Sequence, residues 1–282
     1  MKKAFLISLL SASYALPAVA DSISLPIWKE DAEALGYTLP KPIGFNLSYM
    51  TMEQGINVDS IVLQGLNFNY LDIGLEAEPG RQYTEVLTLR ADVWLFPFLN
   101  LYGLVGKLDG YSTTDVTLTA GFNPNRPFIS HKIQDFRLDL DGYTTGLGFV
   151  LVGGYENWFA LVDASFTQSR LTVVDGTIDA IVVSPRIGYD FNRHDVPLRL
   201  WAGAMYQDVE QTLKGSLSDL GLPSSLTSKL PSDARFEVQQ HLQTPWNPIV
   251  GMQYQINESW YLLGEFGFGE RQSLFFSIDR RF

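Results

Sequence analysis

Charged residues on the polar side of alternating apolar runs are the places in this chain where chemistry could gather. They are Arg90 and Asp92 in "TEVLTLRADVWLFP", Asp163 in "WFALVDASFTQS", Arg186 and Asp190 in "DAIVVSPRIGYDF", and Arg199 in "VPLRLWAGAMYQ". Glu265 in "SWYLLGEFGFGE" and Asp279 and Arg281 in "SLFFSIDRRF" complete the set. Guanidinium and carboxylate groups occur in similar numbers, and such a set can do two things. Lining a water-filled path, it selects the ions and solutes that pass. Paired across the path, it fills the space and fixes the register of the strands that carry it.

Other chemistry finds less support. The three histidines are His131, His194 and His241. His194 lies in a short polar connection, where a solvated side chain is the plainer reading. His131 follows Ser130 in "ISHKI", and His241 stands in "VQQHLQ". A Ser–His–acid set from these acting on lipid is conceivable chemically, yet nothing in the spacing marks one, and no catalytic residue is assigned. Asp135, Asp139 and Asp141 in "DFRLDLDG" alternate as on an amphipathic strand, unlike a calcium loop. The chain has no cysteine, hence no disulfide, thiol or cysteine-held metal. No metal site or cofactor is assigned.

The elements that position the charges are strands. Leu87, Leu89, Ala91, Val93 and Leu95 share one face, as do Trp158, Ala160, Val162, Ala164 and Phe166. The same period orders Ile181 to Phe191, Leu198 to Tyr206, Val250 to Ile256 and Trp260 to Phe268. Each run is about nine to eleven residues, the length a tilted strand needs to cross a bilayer. The connections sort into short ones, "FPFLN", "GYENW", "FNRHDVP" and "QINES", and long ones near 107–142 and 207–247. A further long hairpin is expected to close at Asp175-Gly176, a dipeptide suited to a type I′ turn. Trp94, Phe96, Tyr155, Trp158, Tyr189, Phe191, Tyr254 and Trp260 flank the short connections and read as an aromatic girdle at headgroup level. Gly146, Gly148 and Gly154 leave inward room for a void or for a bulky neighbour such as Trp94 or Trp201.

Lys2 and Lys3, the apolar "AFLISLL" and Ala18-Val19-Ala20 form a secretory signal peptide, with cleavage expected before Asp21. Losing both lysines takes the formal charge from −11 to −13, which argues against nucleic acid as a partner. The expected organisation is a signal peptide over 1–20, a periplasmic or lumen-entering segment over 21–43 with a helical turn near Glu30–Leu35, and a barrel over 44–282.

The signal peptide, the short and long connections in alternation, and the closing "SLFFSIDRRF" resemble bacterial outer-membrane β-barrel proteins as a class. The resemblance implies an all-β, transmembrane, antiparallel up-and-down barrel of about twelve strands, with ten the alternative. It implies that Leu274, Phe276, Ile278 and Phe282 form an assembly signal. Arg280 departs from the apolar pattern but can snorkel to the headgroups. It also implies lipid, lipopolysaccharide and the outer-membrane assembly machinery as partners, with a small solute as a candidate. The sequence lacks the His-x-Ser-Asn-Gly arrangement of the outer-membrane phospholipase. A narrow channel is the first functional reading. A non-conducting surface protein with binding loops is second, and a lipid-modifying enzyme third.

Overall fold

Alternating β-branched, aromatic and polar residues favour extended backbone, because successive side chains point to opposite faces. The computed structural model describes residues 25–65, 72–121, 129–172, 175–216 and 234–282; the expected signal peptide lies outside them, as does Tyr70, where the polar Asn67 and Asn69 in phase with apolar Leu71 suggest a bulge or strand break. One short helix, α1 (Lys29–Ala34), precedes the strands β1 (Ile43–Gln64), β2 (Asp72–Ala77), β3 (Gly80–Phe96), β4 (Leu99–Gly121), β5 (Ile129–Asp139), β6 (Gly142–Tyr155) and β7 (Trp158–Leu171). They continue as β8 (Asp175–Asp190), β9 (Leu198–Ser216), β10 (Arg235–Leu242), β11 (Trp246–Asn257), β12 (Trp260–Gly267) and β13 (Gln272–Arg281).

Ten of these close a ring in chain order, β1-β3-β4-β6-β7-β8-β9-β11-β12-β13, every pair antiparallel. β13 returns to β1 from Gly44↔Arg281 to Glu53↔Gln272. The ring therefore has ten strands, the lower of the two expected counts. The difference from twelve has two local causes: "IGFNLSYMTMEQ" and "DSIVLQ" run on as the single strand β1, and β2 pairs beyond the ring instead of within it.

The other three strands lie beyond the ring, at the end away from the short turns. β10 pairs with the continuations of both β1 and β9, and β2 and β5 both pair with the continuation of β4. The described residues of the expected loops at 107–142 and 207–247 are thus largely sheet. Asp175 and Gly176 pair with Lys214 and Leu213 of β9 and lie beyond the last β7–β8 pair, Arg170↔Thr177. "DFRLDLDG" falls on β5 and the residues just after it.

The surface is inverted relative to a soluble domain. Phe45, Leu47, Leu87, Leu89, Phe166, Ile187, Phe266, Leu274 and Phe276 are exposed on the outer face, with Leu147 at 72%. The inward places of the same strands hold Ser48, Thr84, Asp92, Asn100, Ser184, Glu265 and Ser277, all buried. The largest apolar cluster lies at the far end, where Ile56, Leu108, Leu140, Leu213, Phe236 and Val238 pack together, while Tyr102, Trp201, Ile249 and Tyr261 are buried elsewhere in the interior. Each such side chain stabilises by about 1.5–3 kcal/mol on full burial, so this cap holds the far end of the strands together.

Candidate functional site

Strand parity decides what enters the interior: even positions on β1, β3, β4, β6 and β8 point inward, and odd positions on β7, β9, β11, β12 and β13. The nine charged residues Arg90, Asp92, Asp163, Arg186, Asp190, Arg199, Glu265, Asp279 and Arg281 all occupy inward places, and each has a partner of opposite sign. Arg281 Nη2 meets Asp92 Oδ1 at 2.6 Å, and its Nε lies 3.4 Å from Asp279 Oδ1. Asn100 Nδ2 donates to the same Asp92 oxygen at 2.6 Å, and Arg90 Nη2 donates to Asn100 Oδ1 at 2.9 Å. Arg90 lies 3.8 Å from Asp163 and stacks 3.6 Å above the Tyr102 ring, whose hydroxyl donates to Asp163 at 2.5 Å.

A second group stands beside the first. Arg186 grips Glu265 with two bonds, Nε to Oε2 at 2.7 Å and Nη2 to Oε1 at 3.0 Å. Trp201 Nε1 donates to Glu265 Oε2 at 2.8 Å. The planar guanidinium fork matches a carboxylate, so this pair is strong and directional. Nearer the short turns, Arg199 Nε donates to Asp190 at 2.8 Å and its Nη1 to Gln253 at 3.1 Å. The interior thus carries a linked ionic tier near the short-turn end. Asp92 Oδ2, Arg90 Nε and Trp94 Nε1 within it are buried without a hydrogen-bond partner.

Three inward rings fit against glycines. A Cβ on Gly148 would stand 2.4 Å from the Tyr102 ring, one on Gly251 2.4 Å from Trp201, and one on Gly188 2.4 Å from Phe159. The bulky neighbour of Gly148 is therefore Tyr102 and not Trp94 or Trp201, because β4 and β6 set Tyr102 opposite Gly148. Gly154 is exposed at the turn and its carbonyl accepts from the Tyr37 hydroxyl at 2.9 Å.

The girdle is partly corrected. Tyr155 and Trp158 are exposed, and Trp158 packs edge-on to Tyr189 at 5.2 Å, which in turn meets Phe191 at 4.8 Å. Tyr254 is exposed on the outer face, and Arg280 stacks over Trp260 and Phe282 at 5.3 and 4.7 Å. Trp94 instead points inward, since it shares parity with Arg90 and Asp92, and the Arg281 guanidinium lies 6.0 Å from its ring. A bulge between Trp94 and Phe96 then turns Phe96 toward Phe98 and Trp28, at 5.4 and 4.9 Å. Leu274, Phe276, Ile278 and Phe282 lie on the outer side of the last strand and its end, with all but the partly covered Ile278 exposed.

The histidines do not assemble with one another. His194 meets Asn157 and Tyr189 in the turn region, at 2.9 and 3.0 Å. His241 pairs with Asp59 on the outer extension at 2.7 Å, and His131 lies on β5 opposite Leu118.

Two further features bear on the interior, the first the segment expected to be periplasmic or lumen-entering, the second unread in the sequence. The segment before β1 crosses the short-turn mouth: Ile27 N–H donates to Leu95 O at 2.9 Å, the Tyr37 hydroxyl reaches Gly154, and Lys41 Nζ reaches Ser259 Oγ at 2.6 Å. Its Lys41 carbonyl also accepts from Arg281 Nη1 at 3.0 Å. The second is a set of buried glutamines: Gln54, Gln82 and Gln207, with Gln211 and Gln240 set among residues of the apolar cluster. Their inward parity was the available signal.

A closed antiparallel ring with an apolar outer face and a polar, ion-paired interior defines a transmembrane β-barrel of the bacterial outer-membrane class. No family model matches the chain, and no curated protein matches it. Among solved structures it is similar to the outer membrane protein OprG from Pseudomonas aeruginosa, at 10% identity over 86% of this chain and 98% of that one, TM-score 0.42. It is also similar to an outer membrane channel from Pseudomonas putida F1, at 13% identity over 87% and 97%, TM-score 0.38. A third is the toluene transporter TbuX from Ralstonia pickettii, at 11% identity over 86% and 90%, TM-score 0.34. These likenesses carry no weight at such scores, and the assignment stands on the ring itself.

Proposed function

We propose that this protein resides in the outer membrane of a Gram-negative bacterium and passes small polar solutes through a narrow, normally constricted interior. The observation that carries the reading is the interior itself: ten strands lined by ionic and amide groups, several buried with no protein partner. Eight strands are about what side chains alone can fill, and unsatisfied polar groups in a roomy polar space are where water sits. The paired ionic tier and the segment over the short-turn mouth narrow the path, so conductance is expected to be small. The partners follow from the same reading: lipid and lipopolysaccharide against the apolar face, and the assembly machinery at the Phe282 end.

The non-conducting alternative draws on one observation, the apolar cluster at the far end of the interior, which takes up space that a polar path would need. Recording from refolded protein in a planar bilayer separates the two. Small discrete steps support the channel, and a silent bilayer supports the closed surface protein. No arrangement of the histidines supports the enzyme.

A further inference from the structure

The wall of the barrel changes partners at one place. β1 leaves β13 after Glu53↔Gln272 and takes up β10 from Ile56↔Leu242. Between the two registers lies a cleft of about 260 Å³ lined by Glu53, Gln54, Arg81, Gln243 and Glu270, among others. Gly269, with φ +110°, makes the tight turn that ends β12 below it, a backbone state that side chains disfavour. Gly55 lets the Gln243 side chain close in, since a Cβ there would lie 2.3 Å from Gln243 Oε1.

The inner wall of the cleft is Gln54, 5% exposed, with an Oε1 that has no partner. Gln54 stands opposite Gln82 on β3. Gln82 Oε1 accepts from Gln211 Nε2 across the interior at 2.8 Å, and Gln211 stands opposite Gln240 on β10. The Oε1 atoms of Gln211 and Gln240 are also buried and unpartnered. Such groups destabilise the fold, and Met52 and Val209 show that apolar residues serve at neighbouring inward places. The amides are thus placed for something that brings hydrogen bonds.

We infer that the lateral cleft and the buried glutamines behind it form a binding site for a small, uncharged, polyhydroxylated solute, a single pyranose or a polyol. An amide offers an acceptor and a donor side by side, which suits vicinal hydroxyls. Anions meet Glu53 and Glu270, and Arg81 is already held by Glu53 at 2.9 Å. An apolar solute would leave every amide unpaired and dry. The volume falls below the ~300 Å³ at which drug-sized pockets begin, which fits one ring and excludes longer chains. The inference rests on the solute-passage reading for its purpose, while its test reads binding without conduction.

Isothermal calorimetry on refolded full-length barrel in detergent, with glucose and sorbitol as probes, provides that test. Saturable heat is expected for at least one, weakened about tenfold by Gln54→Leu, the effect of losing roughly one hydrogen bond. Should Q54L lose its heat-modifiable folded band, Gln243→Ala at the exposed rim takes its place, with weakening of several fold expected. The absence of saturable heat with both probes, meaning that water alone meets the glutamines, overturns the inference. So does binding that the folded variants leave unchanged, or a preference for acetate or ethylammonium. Glucose binding in a protein that is silent in bilayers would count against conduction alone, and conductance without sugar or polyol binding would count against this site alone.

Discussion

Arg186 and Glu265 show how much hangs on a single side chain in this interior. Their side chains are 15% and 6% exposed, so Arg186→Ala leaves a buried carboxylate without its counter-charge. Breaking such a pair typically costs ~3–5 kcal/mol, and thermal or denaturant unfolding should show a loss of that order, partly restored by adding Glu265→Gln. Arg199 and Asp190 are more open, at 35% and 26%; Arg199→Ala should cost less stability and shift reversal potentials toward cations. Alternation in the sequence was enough to place these residues inward. It could not say which met which, because Arg186 and Glu265 are 79 residues apart and their meeting depends on ring closure. Trp94 was misplaced for a related reason: proximity to a short turn suggested headgroups, whereas its parity with Asp92 points it inside. The glutamines were passed over because an uncharged amide on a polar face looks like a solvated one.

At the scale of elements, the fit of rings against glycines holds neighbouring strands in register. Gly251→Ala would drive a methyl group into Trp201, whose indole bonds Glu265. Overpacking of this kind costs about 1–3 kcal/mol, read as a lower melting temperature with altered near-ultraviolet dichroism. Gly264→Ala on the neighbouring strand meets nothing within 4 Å and should leave both unchanged. The final strand carries a separate expectation. Phe282 closes the ring through its N–H to Ile43 O at 2.9 Å, a bond that any terminal residue could make, yet its ring is exposed. Deleting Phe282 should therefore lower outer-membrane levels far more than it lowers the stability of refolded protein, because a recognition step is lost. Equal levels in membrane fractions would remove the assembly-signal reading. The strands themselves were legible wherever apolar and polar residues alternated cleanly. The outer extension was not, since β2, β5 and β10 pair with continuations of distant strands and the sequence marks only their local alternation.

For the whole molecule, sidedness and conduction are the open quantities. Because the chain has no cysteine, single replacements report cleanly on topology. A membrane-impermeant maleimide on intact cells should label Asp139→Cys on the exposed outer extension and spare Glu258→Cys in the short turn between β11 and β12. The reverse pattern would turn the barrel over. The ionic tier, the cap and the segment from Ile27 to Lys41 together describe a barrel that is polar inside but narrow at its short-turn mouth. That segment is held by few bonds, to Leu95, Gly154, Ser259 and Arg281, so it is the part whose removal least disturbs the ring. The most direct measurement is planar-bilayer recording of full-length refolded protein beside a form lacking residues 25–40. Small discrete steps that grow in the shortened form are the expected result; current indistinguishable from a protein-free bilayer in both forms would contradict the channel.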